Sequence, residues 1–429
     1  MLVVRIQTRD GVKKFEVGEN DTLKSLHGML FSNIKADFGE CHLYKSRKMQ
    51  QVVPRSDQTV TSFGIENGQM LCLKEPQKKL QSENIYKKVV QKFNIEEDKV
   101  DQELWKDDGR ILGNDCNTTI FKVENLALEP WDTTYLKENG IKFLSFHSFM
   151  REQLSRDKYF KLENQKVALP KIAGRKTNFN NLPATMTLCR QKFRFVDNIV
   201  FENKDIVDSF LNFWSKSGGA QRMAFLYGTY TKFEHFPLGI KAEIKAIYEP
   251  TQKNDKDSYK LIKDPNLKTA DKIGKKIGLQ RVGWIFTDLD ALEEGKFEYK
   301  RNSSSYFLSA KECIRAGYYQ TQHPNYCRHA STESFGSKFV TVVASGNEEN
   351  EISFKGYQIS TQGMALVADR CLSQKNATPE FGYIEKSTPE RYVSDVYYKK
   401  KDEYGNIVNQ SADKFPIGYI ITEVKQTIL

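Results

Sequence analysis

No two of the seven cysteines stand in a C-x-x-C arrangement; Cys41, Cys72, Cys116, Cys189, Cys313, Cys327 and Cys371 are scattered singly through 429 residues. That spacing excludes paired zinc knuckles and dithiol redox motifs, and in an intracellular chain it is the pattern of reduced, mostly buried thiols. No run of about 18 apolar residues occurs. The first residues, Met1-Leu2-Val3-Val4, meet Arg5 at once and form no secretory h-region. The expectation is a water-soluble intracellular chain, cytoplasmic and nuclear, that meets a membrane only indirectly, through a partner. Arginine-rich blocks and RNP-type aromatic motifs are missing too. The formal charge of +10 is spread over 65 basic residues with 55 acidic ones among them, so no nucleic-acid partner is expected and the charge is assigned to solvated surface and protein contacts.

What is present is an ordinary folding composition, 12% aromatic and 28% charged, over a length that suggests roughly three domains of about 150 residues each. Residues 1–75 have the pattern of a β-grasp module. Leu2, Val4 and Ile6 alternate before Arg9-Asp10-Gly11, and Phe15 and Val17 resume the alternation, a hairpin signal. Asp21-Thr22 caps a helix with Leu23, Leu26 and Leu30 on one face. Strands follow at Cys41–Tyr44 and after Gly68. Strand-strand-helix-strand-strand resembles ubiquitin and UBX-like domains, without the terminal Gly-Gly that conjugation needs. Tyr44, Lys45 and Arg47 are candidate partner contacts there and equally ordinary sheet-surface residues.

Residues 76–186 form a connecting region of weaker pattern. Ile85, Val89, Val90 and Phe93 suit an amphipathic helix, residues 97–125 read as polar and irregular, and the aromatics of 131 and 142–149 indicate a packed segment. Residues 187–370 are best patterned. Asn203 can cap a helix carrying Ile206, Phe210 and either Phe213 or Trp214, ended by Gly218-Gly219. Strands are expected at Phe225–Gly228, Ile240–Ala246, Arg281–Leu289, Lys338–Ala344 and Glu351–Ser360. Helices are expected around Ala270, Ile273 and Ile277 and from Ser309. Non-periodic inserts fall near 250–267 and 317–337. Residues 371–429, ending in an apolar strand around Ile417–Ile421, read as a small C-terminal domain packed on the sheet.

The segment Gly283-Trp284-Ile285-Phe286-Thr287-Asp288-Leu289 looks like a metalloprotease strand stripped of its metal ligands. In zinc-dependent deubiquitinases of the MPN (JAMM) type a strand after G-W carries an H-x-H-P pair, and the two histidine places here hold Phe286 and Asp288. A catalytic zinc needs three protein ligands and an open position, and a phenyl ring donates nothing. The glutamate of active relatives aligns with Gln221, and their S-x-x-D with Ser309-x-x-Glu312. With the histidines gone, that pair is most simply a helix N-cap and its capping box. Cys313, His323, Cys327 and His329 match no standard zinc spacing and read as a packed loop. No catalytic residue, metal or cofactor is expected.

Further segments extend the likeness: Arg190-Gln191-Lys192-Phe193 with Val196-Asp197-Asn198-Ile199, Pro237-Leu238-Gly239-Ile240 with Ala246-Ile247-Tyr248-Glu249-Pro250, His323-Pro324-Asn325, Phe335–Thr341 and Gly356-Tyr357-Gln358. With the G-W strand, and in this order over nearly the whole chain, they resemble the nuclear protein localization protein four family, the ubiquitin-recognition cofactor of the valosin-containing-protein AAA ATPase. The fold class so implied is a multidomain α+β and α/β chain: a UBX-like β-grasp domain, a catalytically dead MPN (JAMM-like) domain and a small C-terminal domain. The resemblance implies a heterodimer with ubiquitin fusion degradation protein one, docked on the hexameric ATPase. It implies binding of polyubiquitin chains, including an unfolded ubiquitin laid in a groove, for proteasomal and ER-associated degradation. Tyr318, Tyr319, His323, Tyr326 and Phe335 are groove candidates, though the aromatic ones could equally be core. The Cys/His-rich zinc modules of the family are expected to be absent from 76–186, where Cys116 stands alone, and this puts docking through them in question. The alternatives carried are a basic scaffold for nuclear or RNA–protein assemblies and a residual isopeptidase.

Overall fold

A computed structural model describes residues 2–8, 11–18, 20–32, 42–45, 51–74, 97–110, 128–170, 182–292 and 295–428, in two units, Met1–Ile95 and Glu96–Leu429. In the first unit β1 (Leu2–Thr8) and β2 (Gly11–Val17) form the expected hairpin with Val4 opposite Phe15. The Thr22 hydroxyl accepts from the Ser25 amide at 3.2 Å and so starts α1 (Leu23–Ser32). β3 (His42–Tyr44) pairs antiparallel with β4 (Met70–Lys74), which runs parallel to β1. The sheet order is β2-β1-β4-β3. Leu23, Leu26 and Leu30, three and four apart, bury their shared face against Val4, Ile6 and Leu71. The strand-strand-helix-strand-strand order is therefore the one the alternation suggested.

The second unit opens with a departure. Residues 99–106, inside the stretch read as irregular, form helix α2 (Lys99–Lys106), with Val100 and Leu104 buried one turn apart. Its pattern is hidden because Asp101, a charged residue, is buried as well. Its carboxylate meets the Lys338 ammonium and accepts from His147 Nε2 at 2.8 Å. Burial alone would raise the Asp101 pKa, but the charge of Lys338 and the bond to His147 outweigh it and hold the carboxyl below its ordinary range. The helix expected from Ile85 to Phe93 lies outside the described residues. The aromatic segment is α3 (Phe146–Arg156), capped by Ser145 and stacked through Phe146 on Phe195 at 4.7 Å.

Beyond β5 (Met186–Leu188) and β6 (Asn198–Phe201) comes α4 (Lys204–Lys216), capped by Asn203 as expected. Trp214 rather than Phe213 faces the core. Phe213 lies outward, with the Arg222 guanidinium 3.5 Å from its ring centre. The chain continues through β7 (Met223–Phe233), β8 (Gly239–Tyr248), a small hairpin of Gln252–Asn254 and Tyr259–Leu261, α5 (Leu267–Lys276), β9 (Gln280–Asp288) and α6 (Ala310–Gln322). Then follow β10 (Val340–Gly346), β11 (Ile352–Ile359), α7 (Thr361–Ala368), β12 (Val396–Lys401), β13 (Ile407–Ser411) and β14 (Ile421–Ile428).

Seven strands close into a barrel in the order β7-β8-β6-β14-β11-β10-β9. Alternate strand residues divide between two cores. Phe225, Trp284, Phe286, Val343 and Tyr357 join a core that includes residues of α6 and α7, while Ala224, Leu226, Ile285 and Val342 pack with Ile199 and Phe210. The strands expected in 187–370 thus lie in a closed sheet, and the boundary at 370/371 does not hold. β14 lies between β6 and β11, so residues beyond 371 supply a barrel strand. The apolar run at Ile417–Ile420 is a 3-10 turn, and the strand begins only at Ile421. A sheet that closes on itself leaves no edges to protect, but closure is a long-range property that no local pattern announces.

Candidate functional site

The G-W strand is built for close packing. Gly283 pairs with Val340 across the parallel ladder, where a Cβ would meet the Val340 carbonyl oxygen and Cγ2 at 2.6 Å. Trp284 is fully buried, donates its indole N–H to Thr341 Oγ1 at 2.8 Å, and stacks on Phe286 with ring centres 4.8 Å apart. Phe286 is 1% exposed, a core ring with no metal donor to offer.

Arg301 occupies the charge position of this region, a residue that sequence reasoning did not single out. Its guanidinium is 2% exposed and donates from Nε to Asp288 Oδ2 at 2.7 Å. Its two amino groups grip Glu312 at 2.9 and 2.7 Å, and one also reaches the Phe307 carbonyl at 2.8 Å. It lies 5.5 Å from the centre of the Phe286 ring. Burial opposes the charge, but Glu312 and Asp288 outweigh it and push the guanidinium pKa above its usual value. Ser309 and Glu312 form the expected capping box: Glu312 N–H donates to Ser309 Oγ at 3.3 Å and Ser309 N–H to Glu312 Oε2 at 2.9 Å. Gln221 is buried and exchanges two hydrogen bonds with the Leu289 backbone, at 2.8 and 3.2 Å. A guanidinium has no empty coordination position and cannot hold a water to lower its pKa as a metal ion does.

The five groove candidates do not converge. α6 continues to Gln322, so Tyr318 and Tyr319 lie on a helix and not in a non-periodic insert. Tyr318 is 56% exposed and lines a cleft of about 670 Å³ beside α7 with Lys311, Arg315 and Arg370. Tyr319 turns inward, edge-on to Trp284 and Phe225. Phe335 is buried in an aromatic cluster with Phe146 and Phe195 and borders a separate cleft. Tyr326 is half-buried and bridges Ser334. Burial removes Phe335 and most of Tyr319 from contact with a partner. A different surface lies at Ile273 and Ile277 of the α5 segment, which are exposed beside an apolar cleft of about 340 Å³ formed with Tyr227, Ala246 and Tyr248.

His323 ends α6, its Nδ1 2.8 Å from the Tyr319 carbonyl and its ring stacked 4.3 Å from Phe339. Burial lowers its pKa below the ordinary histidine value, only partly offset by the Tyr319 bond, and burial lowers that of His329 too. The unfolded chain therefore takes up these protons first. Their contribution is complete above about pH 6.5 and is lost as the pH falls through the depressed folded values. Urea midpoints measured between pH 7.5 and 5.5 are expected to decline, and His323→Gln is expected to flatten that decline. An unchanged slope would remove His323 from the account.

In the first unit Tyr44 is half-buried, pairs with Cys72 and bridges Val52. Lys45 donates to the Phe63 carbonyl at 3.2 Å and lies over the Phe63 ring. Arg47 lies outside the described residues. Among the described residues no group of three or more His, Cys, Asp and Glu could hold a metal ion, and no helix is long and apolar enough to cross a membrane.

Comparison with known proteins gives the family. Residues 222–429 match the NPL4 family model, residues 95–218 the model of that family's zinc binding region, and residues 1–74 the model described as nuclear pore localisation protein NPL4. The nuclear protein localization protein 4 homolog of Homo sapiens is 37% identical over 99% of this chain and 74% of its own length. That of Drosophila melanogaster is 37% identical over 98% and 69%, and nuclear protein localization protein 4 of Saccharomyces cerevisiae 32% identical over 98% and 80%. The solved ATBAG1–HSP70 complex overlaps 25% of the chain at 12% identity with a TM-score of 0.16, which carries no argument. The match over 95–218 corrects the expectation that the zinc region is missing: the stretch is retained. Its Cys and His donors, the set a Cys/His-rich zinc module uses, are Cys116, Cys189 and His147. Cys189 is exposed and His147 Nε2 is engaged by Asp101, so a tetrahedral four-ligand zinc does not fit the residues present. The chain belongs to the NPL4 family.

Proposed function

We propose that the chain is a non-enzymatic adaptor that binds polyubiquitylated substrates and delivers them to the valosin-containing-protein AAA unfoldase. In this reading it acts as a heterodimer with ubiquitin fusion degradation protein one, in the cytoplasm and nucleus and at the ER membrane only through partners. The observation that carries the reading is the Arg301–Asp288–Glu312 cluster, which lies where the likeness to MPN metalloproteases would place a metal. A scaffold of protease type whose charge site is filled by a guanidinium keeps a surface and loses a reaction. Residual isopeptidase activity would require donors at Phe286 and at Asp288, and the second is already committed to Arg301. The UBX-like first unit serves as the ATPase contact, with Tyr44, Lys45 and Arg47 on the docking face. The dead MPN domain and the residues after it grip ubiquitin through Tyr318 and the surface around it.

The test combines the intact chain, its ATPase, ubiquitin fusion degradation protein one and polyubiquitin chains in the presence of a chelator. Co-purification of all components with no free ubiquitin released over hours is expected, and Tyr44→Ala with Lys45→Glu should release the ATPase while polyubiquitin stays bound. Failure of the intact chain to retain polyubiquitin, or chain cleavage abolished by the chelator, would sink the adaptor reading.

A further inference from the structure

The three-stranded sheet beside the barrel is ordered β13-β12-β5, so β13 is an edge. Its five residues, Ile407-Val408-Asn409-Gln410-Ser411, are all exposed, and pair with β12 in unbroken register from Tyr397 opposite Ser411 to Lys401 opposite Ile407. Two backbone bonds outside that run fix its phase. Asp402 N–H donates to the Asn406 carbonyl at 2.9 Å, and Ala412 N–H to the Val396 carbonyl at 2.8 Å. Bonded and non-bonded pairs alternate along an antiparallel ladder, so residues 406, 408, 410 and 412 turn their backbone groups toward β12. The N–H and C=O of Ile407, Asn409 and Ser411 consequently point away from the sheet.

Natural edge strands are blunted by charge, proline, bulges or extreme shortness. β13 carries no charge, no proline and no bulge, and opens on Ile407, 68% exposed, and Val408. The hairpin is held in place at both ends. At the tip Asp402 Oδ1 accepts from the Tyr404 and Asn406 amides at 3.0 and 2.7 Å, and Gly405 takes the positive φ of 83° that the turn requires. At the base Val396, Tyr398 and Ala412 are buried in the main core. An edge held in strand conformation before its partner arrives spares much of the ordering entropy of binding.

We propose that the outer edge of β13 is a docking site for an extended segment of a partner protein with alternating apolar and acidic residues, added as a fourth strand. The charge selects this occupant. Lys399, Lys400 and Lys401 are exposed on β12, with Lys400 on one face of the ribbon and Lys399 and Lys401 on the other. An incoming strand therefore meets lysines on both faces, within reach of long side chains, while Ile407 and Val408 seek apolar cover. A second copy of this chain would bring lysines against lysines. Strand addition of this kind draws its affinity from backbone bonds and its selectivity from alternate side chains. The proposal is independent of the adaptor reading.

The test uses the full chain and a fluorescein-labelled, end-capped heptapeptide alternating valine and glutamate, followed by fluorescence anisotropy at low salt. Saturable binding is expected, with a rise in amide protection at Ile407, Asn409 and Ser411. Asn409→Pro removes an outward N–H while keeping the ladder to β12, so it should weaken binding about tenfold, the scale of one backbone hydrogen bond, with an unchanged melting curve. A peptide N-methylated at every residue, which can donate from neither edge, should fail on the wild-type chain, as should a valine–lysine peptide. Undiminished binding of the methylated or the lysine peptide would overturn the proposal. So would a concentration-dependent dimer that Asn409→Pro abolishes, which would make the occupant a second copy.

Discussion

Arg301→Met is expected to destabilise the second unit by about 3 kcal/mol, at the lower end of the usual cost of stranding a buried charge partner. The guanidinium is almost wholly enclosed, and its removal leaves Asp288 and Glu312 facing each other without a counter-charge. Those carboxylates are 24% and 19% exposed, so water relieves part of the penalty and the low end of the range applies. Methionine keeps most of the volume, which separates the charge effect from a cavity effect. Neutralising both acids in the same chain, with Asp288→Asn and Glu312→Gln, is expected to recover most of the loss. The check is the urea midpoint of the wild-type, single and triple variants. A single variant as stable as wild type would mean that Arg301 is not the counter-ion described here.

Trp284→Ala is expected to be at least as damaging, at about 3–5 kcal/mol. The ring is fully buried between Phe286 and Tyr319 at the middle of the larger core. Its loss opens a cavity and also leaves the Thr341 hydroxyl, 0% exposed, without its indole donor. Trp284→Phe fills most of the cavity and should cost clearly less, with Thr341→Val in the same background recovering part of the remainder. Soluble yield and urea midpoint report both. Equal losses for alanine and phenylalanine would show that the hydrogen bond, and not the packing, dominates.

The sequence disclosed elements better than closures. Every strand expected between 225 and 360 exists to within a few residues, because half-buried strands print their alternation and caps such as Asn203 and Ser309 carry their own chemistry. The chemistry of Phe286 was legible for the same local reason, since a phenyl ring offers no metal donor wherever it lies. What stayed hidden was long-range. Arg301 sits in a polar loop with no pattern around it, and its role exists only when Asp288 and Glu312 are brought to it. Asp101 masked its own helix, since a charge buried against Lys338, 237 residues away, reads as a surface residue. Whether Tyr319 and Phe335 face a partner or the core stayed open in the sequence because the helix that turns one inward and the cluster that encloses the other are tertiary facts. The hairpin of β12 and β13 went unread inside the small domain expected for 371–429.

Placing β14 beside β6 also sets a schedule for synthesis. Asn198 and its partner Thr427 are 229 residues apart, a separation that a ribosome adding about 5–20 residues per second takes roughly 10–45 s to cover. Through that interval β6 waits with one side unpaired, joined by β11 once Ile352–Ile359 has been made, and both are open to wrong neighbours. Chaperone demand should therefore be highest in that interval and fall once residues 421–428 emerge.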